Sequence, residues 1–329
     1  MEKKKKFKLF DMNRDGKGVE VGEDRTPNLK FFFKQFGRKF SKIISLNILM
    51  IFQVIPLLLI AYLLIFATPT TPTQYYPEYS ALYGIEQANA TASGIVNLDL
   101  FSIQLEIHEY LPYTYWIAGG LAIIFVVTYG WQKVGAIYVT RGLVRGDSVF
   151  IFSDFFYAIK KNFWQGLLLG LIDCGIMATL GFNLFYYYNS ATTGLNDFLY
   201  VMTLALILIY IVFRFYTYLM LVTFNIKIHK LLKNALIFTV LGIKRNFMAL
   251  LGLFVVSALA IVPMLFLMPI GLGIALVLPF IYYLGVCSFI YTYAAYPVIK
   301  KYMIDPVEPA SASSNNSEDV ERIEDGSKE

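Results

Sequence analysis

Asp173 and Arg214 are charges that fall well inside apolar stretches of this chain. Asp173 lies about nine residues into one stretch, and Arg214 about nine residues before the end of the next. At about 1.5 Å per helical residue, both stand on the order of 14 Å from the same side of a membrane. A charge at that depth is costly unless it is paired or wetted. The two are therefore expected to form an intramembrane ion pair. Two roles fit such a pair. One is a proton or substrate path, helped by Tyr210, Tyr216 and Tyr218. The other is a bridge that fixes helix register. The residue types leave both open.

Other chemistry is sparse. The histidines are His108 and His229, expected on opposite sides of the membrane, so a His-based metal site or His-assisted nucleophile is not expected. Cys174 and Cys287 both sit in apolar stretches and read as buried free thiols rather than a disulfide framework. Asp11-Met12-Asn13-Arg14-Asp15-Gly16 matches the start of an EF-hand calcium loop. That loop needs a bidentate Glu at its twelfth position. Gly22 stands there, Glu23 comes one residue late, and Pro27 interrupts the helix that should follow. No metal, cofactor or catalytic residue is expected. There is no phosphate-binding Walker loop, no GxSxG and no HExxH, so the chain reads as non-enzymatic, and nothing points to nucleic acid.

The elements that must carry Asp173 and Arg214 are membrane spans. The chain is 57% hydrophobic and 16% charged, with a mean hydropathy of +0.58. Soluble domains are nearer about 45–50% apolar and about 25% charged. Six stretches can cross about 30 Å of hydrocarbon. They run at 43–67, 113–136, 164–188, 198–223, 247–268 and 273–296. Each is a continuous apolar run, so the reading is helical and the fold class all-α. Pro56, Pro263 and Pro279 fall inside spans, where they can kink a helix. The first apolar run is too long for a signal-peptide core, so no cleavable leader is expected.

Lysine and arginine set the topology. Segments 68–110, 189–196 and 268–273 hold none of the 28. The long outer loop, 68–110, instead carries Glu78, Glu86, Asp99, Glu106 and Glu109. Basic residues near span ends stay cytoplasmic, so both termini are expected inside. Residues 1–42 form a basic arm, 43–304 the membrane domain, and 305–329 an acidic tail with little to bury, expected to be disordered.

The cytoplasmic gaps read as short amphipathic helices. In the arm, Lys30, Lys34, Arg38 and Lys42 share one face, and Phe32, Phe33, Phe36 and Phe40 are assigned to the other. A basic face beside an aromatic face suits a helix lying on anionic inner-leaflet lipid. A second such helix is expected within 146–163, capped by Ser153 or Asp154, with Phe155, Phe156, Ile159 and Phe163 apolar and Lys160 and Lys161 leading into the next span. The third gap is 227–246. Ile159-Lys160-Lys161-Asn162-Phe163 precedes the third span, and Ile243-Lys244-Arg245-Asn246-Phe247 the fifth. Gly37-Arg38-Lys39-Phe40 is a weaker match before the first. Three repeated units are expected, each an amphipathic helix followed by a helical hairpin. Gln132 and Lys133 read as snorkelling at the inner end of span two, Asn47 and Gln53 as interhelical donors, and Gly166 with Gly170 as a GxxxG pattern that permits close packing.

A family resemblance rests on particular stretches. Asp11-Met12-Asn13, Gly16-Lys17-Gly18-Val19-Glu20 and Leu46-Asn47-Ile48-Leu49 are one set. Gly135-Ala136-Ile137-Tyr138-Val139-Thr140-Arg141-Gly142-Leu143-Val144-Arg145-Gly146-Asp147 is another, continuing through Phe152-Ser153-Asp154-Phe155-Phe156 and Lys160-Lys161-Asn162-Phe163-Trp164-Gln165. Together they resemble YesL-like bacterial membrane proteins, a family of uncharacterised function. The region 59–117 departs from the pattern, because many relatives pass almost directly from span one to the Gly-Ala-Ile-Tyr segment.

The resemblance implies a multi-pass protein of the bacterial plasma membrane. Members tend to be encoded beside carbohydrate ABC importers, which implies an accessory or regulatory role with permease subunits as partners. Arg141, Arg145, Asp147 and Asp154 would then form a cytoplasmic docking segment, or a hinge shaped only by the interface. The alternative is an independent small-solute or sugar carrier working through Asp173 and Arg214.

Overall fold

A computed structural model describes residues 26–66, 112–190, 193–267 and 272–306. The calcium-loop look-alike, the whole outer loop 68–110 with His108, and the acidic tail after residue 306 lie outside the described residues, as does most of the turn at 268–273.

Every regular element among the described residues is helical. In chain order they are α1 (Leu29–Phe66), α2 (Pro112–Arg145), α3 (Ile151–Lys161), α4 (Phe163–Asn189), α5 (Gly194–Thr223), α6 (Ile228–Leu241), α7 (Ile243–Leu267) and α8 (Leu272–Ile299), which ends in a π-helical turn, Lys300–Ile304. Five of them, α1, α2, α4, α5 and α7, are long and apolar enough to cross a membrane. The chain is thus a multi-pass membrane protein. Its surface agrees, for Trp116, Tyr188, Phe254 and Phe266 are each more than 70% exposed. Water tolerates contiguous exposure of that kind poorly, whereas hydrocarbon does not penalise it.

Burial is concentrated at one end of the bundle. Apart from Thr114 and Thr203, buried residues run from Gly130 to Leu143 in α2 and from Val212 to Val222 in α5, and they recur from Val286 to Ile299 in α8. In α4 none follows Asp173. The short helices α3 and α6 lie at this packed end. Phe155 and Ala158 of α3 are buried against α2, and Leu231, Ala235 and Phe238 of α6 against its neighbours. Side-chain amides tie the spans together, as membrane helices require. Asn47 bonds the backbone of α8 at Phe280 O and Gly285 N, Gln53 donates to Phe125 O at 2.7 Å, and Gln132 donates to Met50 O at 2.5 Å. Gln132 is therefore an interhelical tie rather than a snorkelling side chain.

The GxxxG pattern is used. A Cβ built on Gly170 would stand 2.5 Å from Gly130 Cα, so α2 and α4 touch backbone to backbone there. Gly146 closes α2. Its φ of 87° is open to glycine, and Asp147 N donates to Gly142 O at 3.0 Å while Gly146 N reaches Leu143 O. That is the Schellman arrangement of a helix end.

Three expectations are corrected. The arm helix is not separate: α1 runs unbroken through position 42. Its aromatic face divides. Phe32 and Phe36 turn inward onto Phe289, and Phe32 also meets Tyr293, while Phe33 and Phe40 are 67% and 45% exposed. The four phenylalanines share an arc of about 100°, and α8 covers only the part that carries Phe32 and Phe36. Finally, neither Ser153 nor Asp154 caps α3. Phe150 occupies the cap position, and Asp154 accepts its N–H at 2.9 Å from within the first turn.

Candidate functional site

The polar centre of the bundle lies where α2, α4 and α5 meet. Tyr210, Arg214 and Tyr218 recur at four-residue spacing, which puts them on one side of α5. Asp173 faces them from α4 and is 2% exposed. Arg214 Nε lies 2.8 Å from Asp173 Oδ1 and 3.0 Å from Oδ2. Tyr210 donates to Oδ1 at 2.9 Å, and Tyr218 to Oδ2 at 2.9 Å. The carboxylate thus has three donors, Tyr210 at Oδ1 and Arg214 with Tyr218 at Oδ2. Charge-assisted bonds of this kind are what makes a buried carboxylate tolerable. Tyr216 does not join. Two residues from both Arg214 and Tyr218, it turns to another side of α5 and donates to Asn246 Oδ1 at 2.6 Å.

Tyr129 of α2 completes the site and carried no signal in the sequence. Its hydroxyl accepts from Arg214 Nη2, and the Arg214 guanidinium carbon is 5.8 Å from its ring centre. Lys133, one turn along α2, holds its ammonium 5.5 Å from the same ring. Both cations lie within about 6 Å of the ring centre, the range over which cation–π attraction acts. Because α2 continues to Arg145, Lys133 is not at a helix end, and its neighbour is the polar centre.

A cavity of about 100 Å³ opens beside the pair between α4, α5 and α6. Asp173, Arg214, Tyr210 and Tyr218 meet it, with Leu169, Ile172, Phe213 and Leu232 among its apolar walls.

The remaining site residues are dispersed. Arg141 points into the bundle. Its Nη1 donates to Val222 O at 2.6 Å, and its guanidinium stacks 4.9 Å from the Tyr138 ring. Val222 is in the last turn of α5, where carbonyls lack helical partners, so Arg141 finishes that helix. Arg145 and Asp147 are half exposed and pair at 3.4 Å. Asp154 is engaged at the start of α3. Lys30, Lys34 and Arg38 are exposed along α1, while Lys42 leans back to donate to Val149 O at 3.0 Å.

Residues 113–184 match a family described as a protein of unknown function, DUF624, to which YesL-like proteins belong. The matched segment covers nearly all of α2, all of α3 and most of α4, and so includes Tyr129, Lys133, the 141–154 segment and Asp173. No curated protein and no solved structure gives a significant match.

Proposed function

We propose that this YesL-like protein is a non-enzymatic component of a bacterial plasma membrane that acts as an accessory or regulatory partner of a carbohydrate ABC importer. The single observation that favours this over independent transport is the size and state of the polar centre. Ligand pockets are about 300–1,000 Å³. The cavity beside Asp173 and Arg214 is about 100 Å³, and the carboxylate is already engaged by Arg214, Tyr210 and Tyr218. A sugar ring has no room there. The partner class comes from the family resemblance, and of Arg141, Arg145, Asp147 and Asp154 it is Arg145 and Asp147 that stand exposed, beside Phe150 and Phe152.

In this reading α8 supplies a sixth span, and the even number returns both termini to the cytoplasm, where the lysines and arginines gather. Three repeated hairpins have mixed support. The pairs α3–α4 and α6–α7 each join a short helix to a long one through a single residue, Asn162 or Gly242. Yet the motif at 159–163 straddles its break, whereas the motif at 243–247 follows its break. The repeated residues are about one helical turn out of step with the repeated elements.

The competing reading, an independent carrier working through Asp173 and Arg214, requires the cavity to widen several-fold. Proteoliposomes containing this chain alone test it. No uptake of labelled oligosaccharide above protein-free vesicles is expected, and saturable uptake abolished by Asp173→Asn would overturn the accessory role.

A further inference from the structure

The basic residues of α1 stand at different depths. The apolar run of that helix begins at residue 43. Counted back at about 1.5 Å per residue, Lys39 lies about 6 Å outside the run, Lys34 about 14 Å and Lys30 about 20 Å. A bilayer of about 40–45 Å around about 30 Å of hydrocarbon leaves a headgroup layer of about 5–8 Å on each face. Arg38, Lys39 and Lys42 are therefore level with lipid phosphates, and Lys30 and Lys34 lie beyond them.

Those three residues share the side of α1 that meets the end of α2. Gln35, one turn before Lys39, donates to Leu143 O and Val144 O at 2.8 Å. Lys42 donates to Val149 O at 3.0 Å, in the turn between α2 and α3. Lys39 feels the charges of Lys42 and Arg38, and the opposite charge of Asp147. Asp147 is itself paired with Arg145 at 3.4 Å. Arg38, Lys39, Lys42 and Arg145 thus gather round a single carboxylate. Asp154, the next acid along the chain, is engaged by Phe150 N.

Such a cluster has donors and charge to offer. An ammonium carries three donors. Lys42 uses one on Val149, and among the described residues the Lys39 ammonium is bonded to no acceptor. Repulsion among the cations is relieved by an anion placed between them. Phe40, next to Lys39 in the chain, is 45% exposed, and Phe150, next to Val149, is 73% exposed. Exposed rings beside a basic cluster suit the interface of an anionic bilayer.

We propose that Arg38, Lys39 and Lys42, with the turn between α2 and α3, form a site for the phosphate of an anionic phospholipid. Lys39 donates to the phosphate, and Arg38 and Lys42 add attraction. Asp147 opposes it, by its own charge and by holding Arg145. A lipid is the occupant because the cluster stands at headgroup depth between exposed phenylalanines.

The full chain in detergent micelles is titrated with phosphatidylglycerol and with phosphatidylcholine, and bound lipids are counted by native mass spectrometry. One phosphatidylglycerol per chain is expected to bind in clear preference to phosphatidylcholine. Lys39→Gln is expected to weaken it about tenfold, the loss of a charge-assisted bond. Lys230→Gln removes the same charge from α6, where the side chain is exposed, and is expected to leave binding unchanged. Asp147→Asn takes away the opposing carboxylate and is expected to tighten binding several-fold, a gain that misfolding cannot produce. Equal binding of the two lipids, wild-type affinity in Lys39→Gln, or equal losses in Lys39→Gln and Lys230→Gln would each overturn the proposal, as would the lack of any gain in Asp147→Asn. Binding is read on the chain alone, so such a result leaves the importer partnership untouched.

Discussion

Arg214 Nε stands 2.8 Å from Asp173 Oδ1, and the tyrosines one turn to either side of Arg214 donate to the same carboxylate. This links α5 to α4 through three side chains at equal helical spacing. The link reaches α2 as well, because Tyr129 accepts from the guanidinium. Removing one partner leaves the other charge uncompensated, which costs about 3–5 kcal/mol in a buried pair. Asp173→Asn and Arg214→Gln are each expected to lower the unfolding temperature in detergent markedly. The double swap Asp173→Arg with Arg214→Asp is expected to recover part of the loss. A swap no better than the worse single variant would show that the pair is not the stabilising unit.

Gly130 and Gly170 set the distance between α2 and α4. Gly170→Ala is expected to destabilise, since a Cβ there would meet Gly130 Cα at 2.5 Å. Gly175, one turn on from the contact, has open space around it. Gly175→Ala is expected to be neutral or to stabilise by up to about 1 kcal/mol through helix propensity. Melting the two variants side by side checks both expectations, and the opposite order would remove the close contact from the fold.

Asn47 uses both ends of its amide, donating to Phe280 O and accepting from Gly285 N. Asn47→Leu is expected to cost about 1–2 kcal/mol. Asn47→Asp keeps the acceptor, loses the donor and places a charge at a fully buried position. It is expected to be the worse of the two at neutral pH, by thermal unfolding, and to recover toward the leucine variant as the carboxylate protonates at low pH.

Much of this centre was legible, for physical reasons. Apolar runs are long and continuous, so spans stand out. The depths of Asp173 and Arg214 match when counted along their helices, and the spacing of Tyr210, Arg214 and Tyr218 gives them a common side. What could not be read depends on contacts between distant segments. Tyr129 is uncharged and lies in a span unremarkable by composition. Arg141 looks like any arginine at a helix end until the carbonyl of Val222 is brought to it. The division of the α1 aromatics follows from α8 offering Phe289 and Tyr293 as an apolar surface that competes with lipid. Which side of a helix meets protein and which meets hydrocarbon is invisible to a pattern of apolar residues, because both environments accept the same side chains.

Arg141 and Arg145 separate packing from docking. Arg141→Ala loses a charge-assisted bond and a ring contact, and is expected to cost about 1.5 kcal/mol. Arg145→Ala, whose pair with Asp147 is solvent exposed, is expected to change stability by less than about 0.5 kcal/mol. Thermal unfolding distinguishes them, and equal losses would place Arg145 in the packed structure rather than at an open surface.

The importer partnership is tested most directly by purifying the tagged chain from its own membranes in mild detergent and weighing the intact assembly. The expected result is a defined stoichiometric complex with carbohydrate importer permease subunits, lost when Arg145→Glu and Asp147→Lys are introduced together without a change in Tm. A chain recovered alone, or one that retains the same partners after both substitutions, would contradict it.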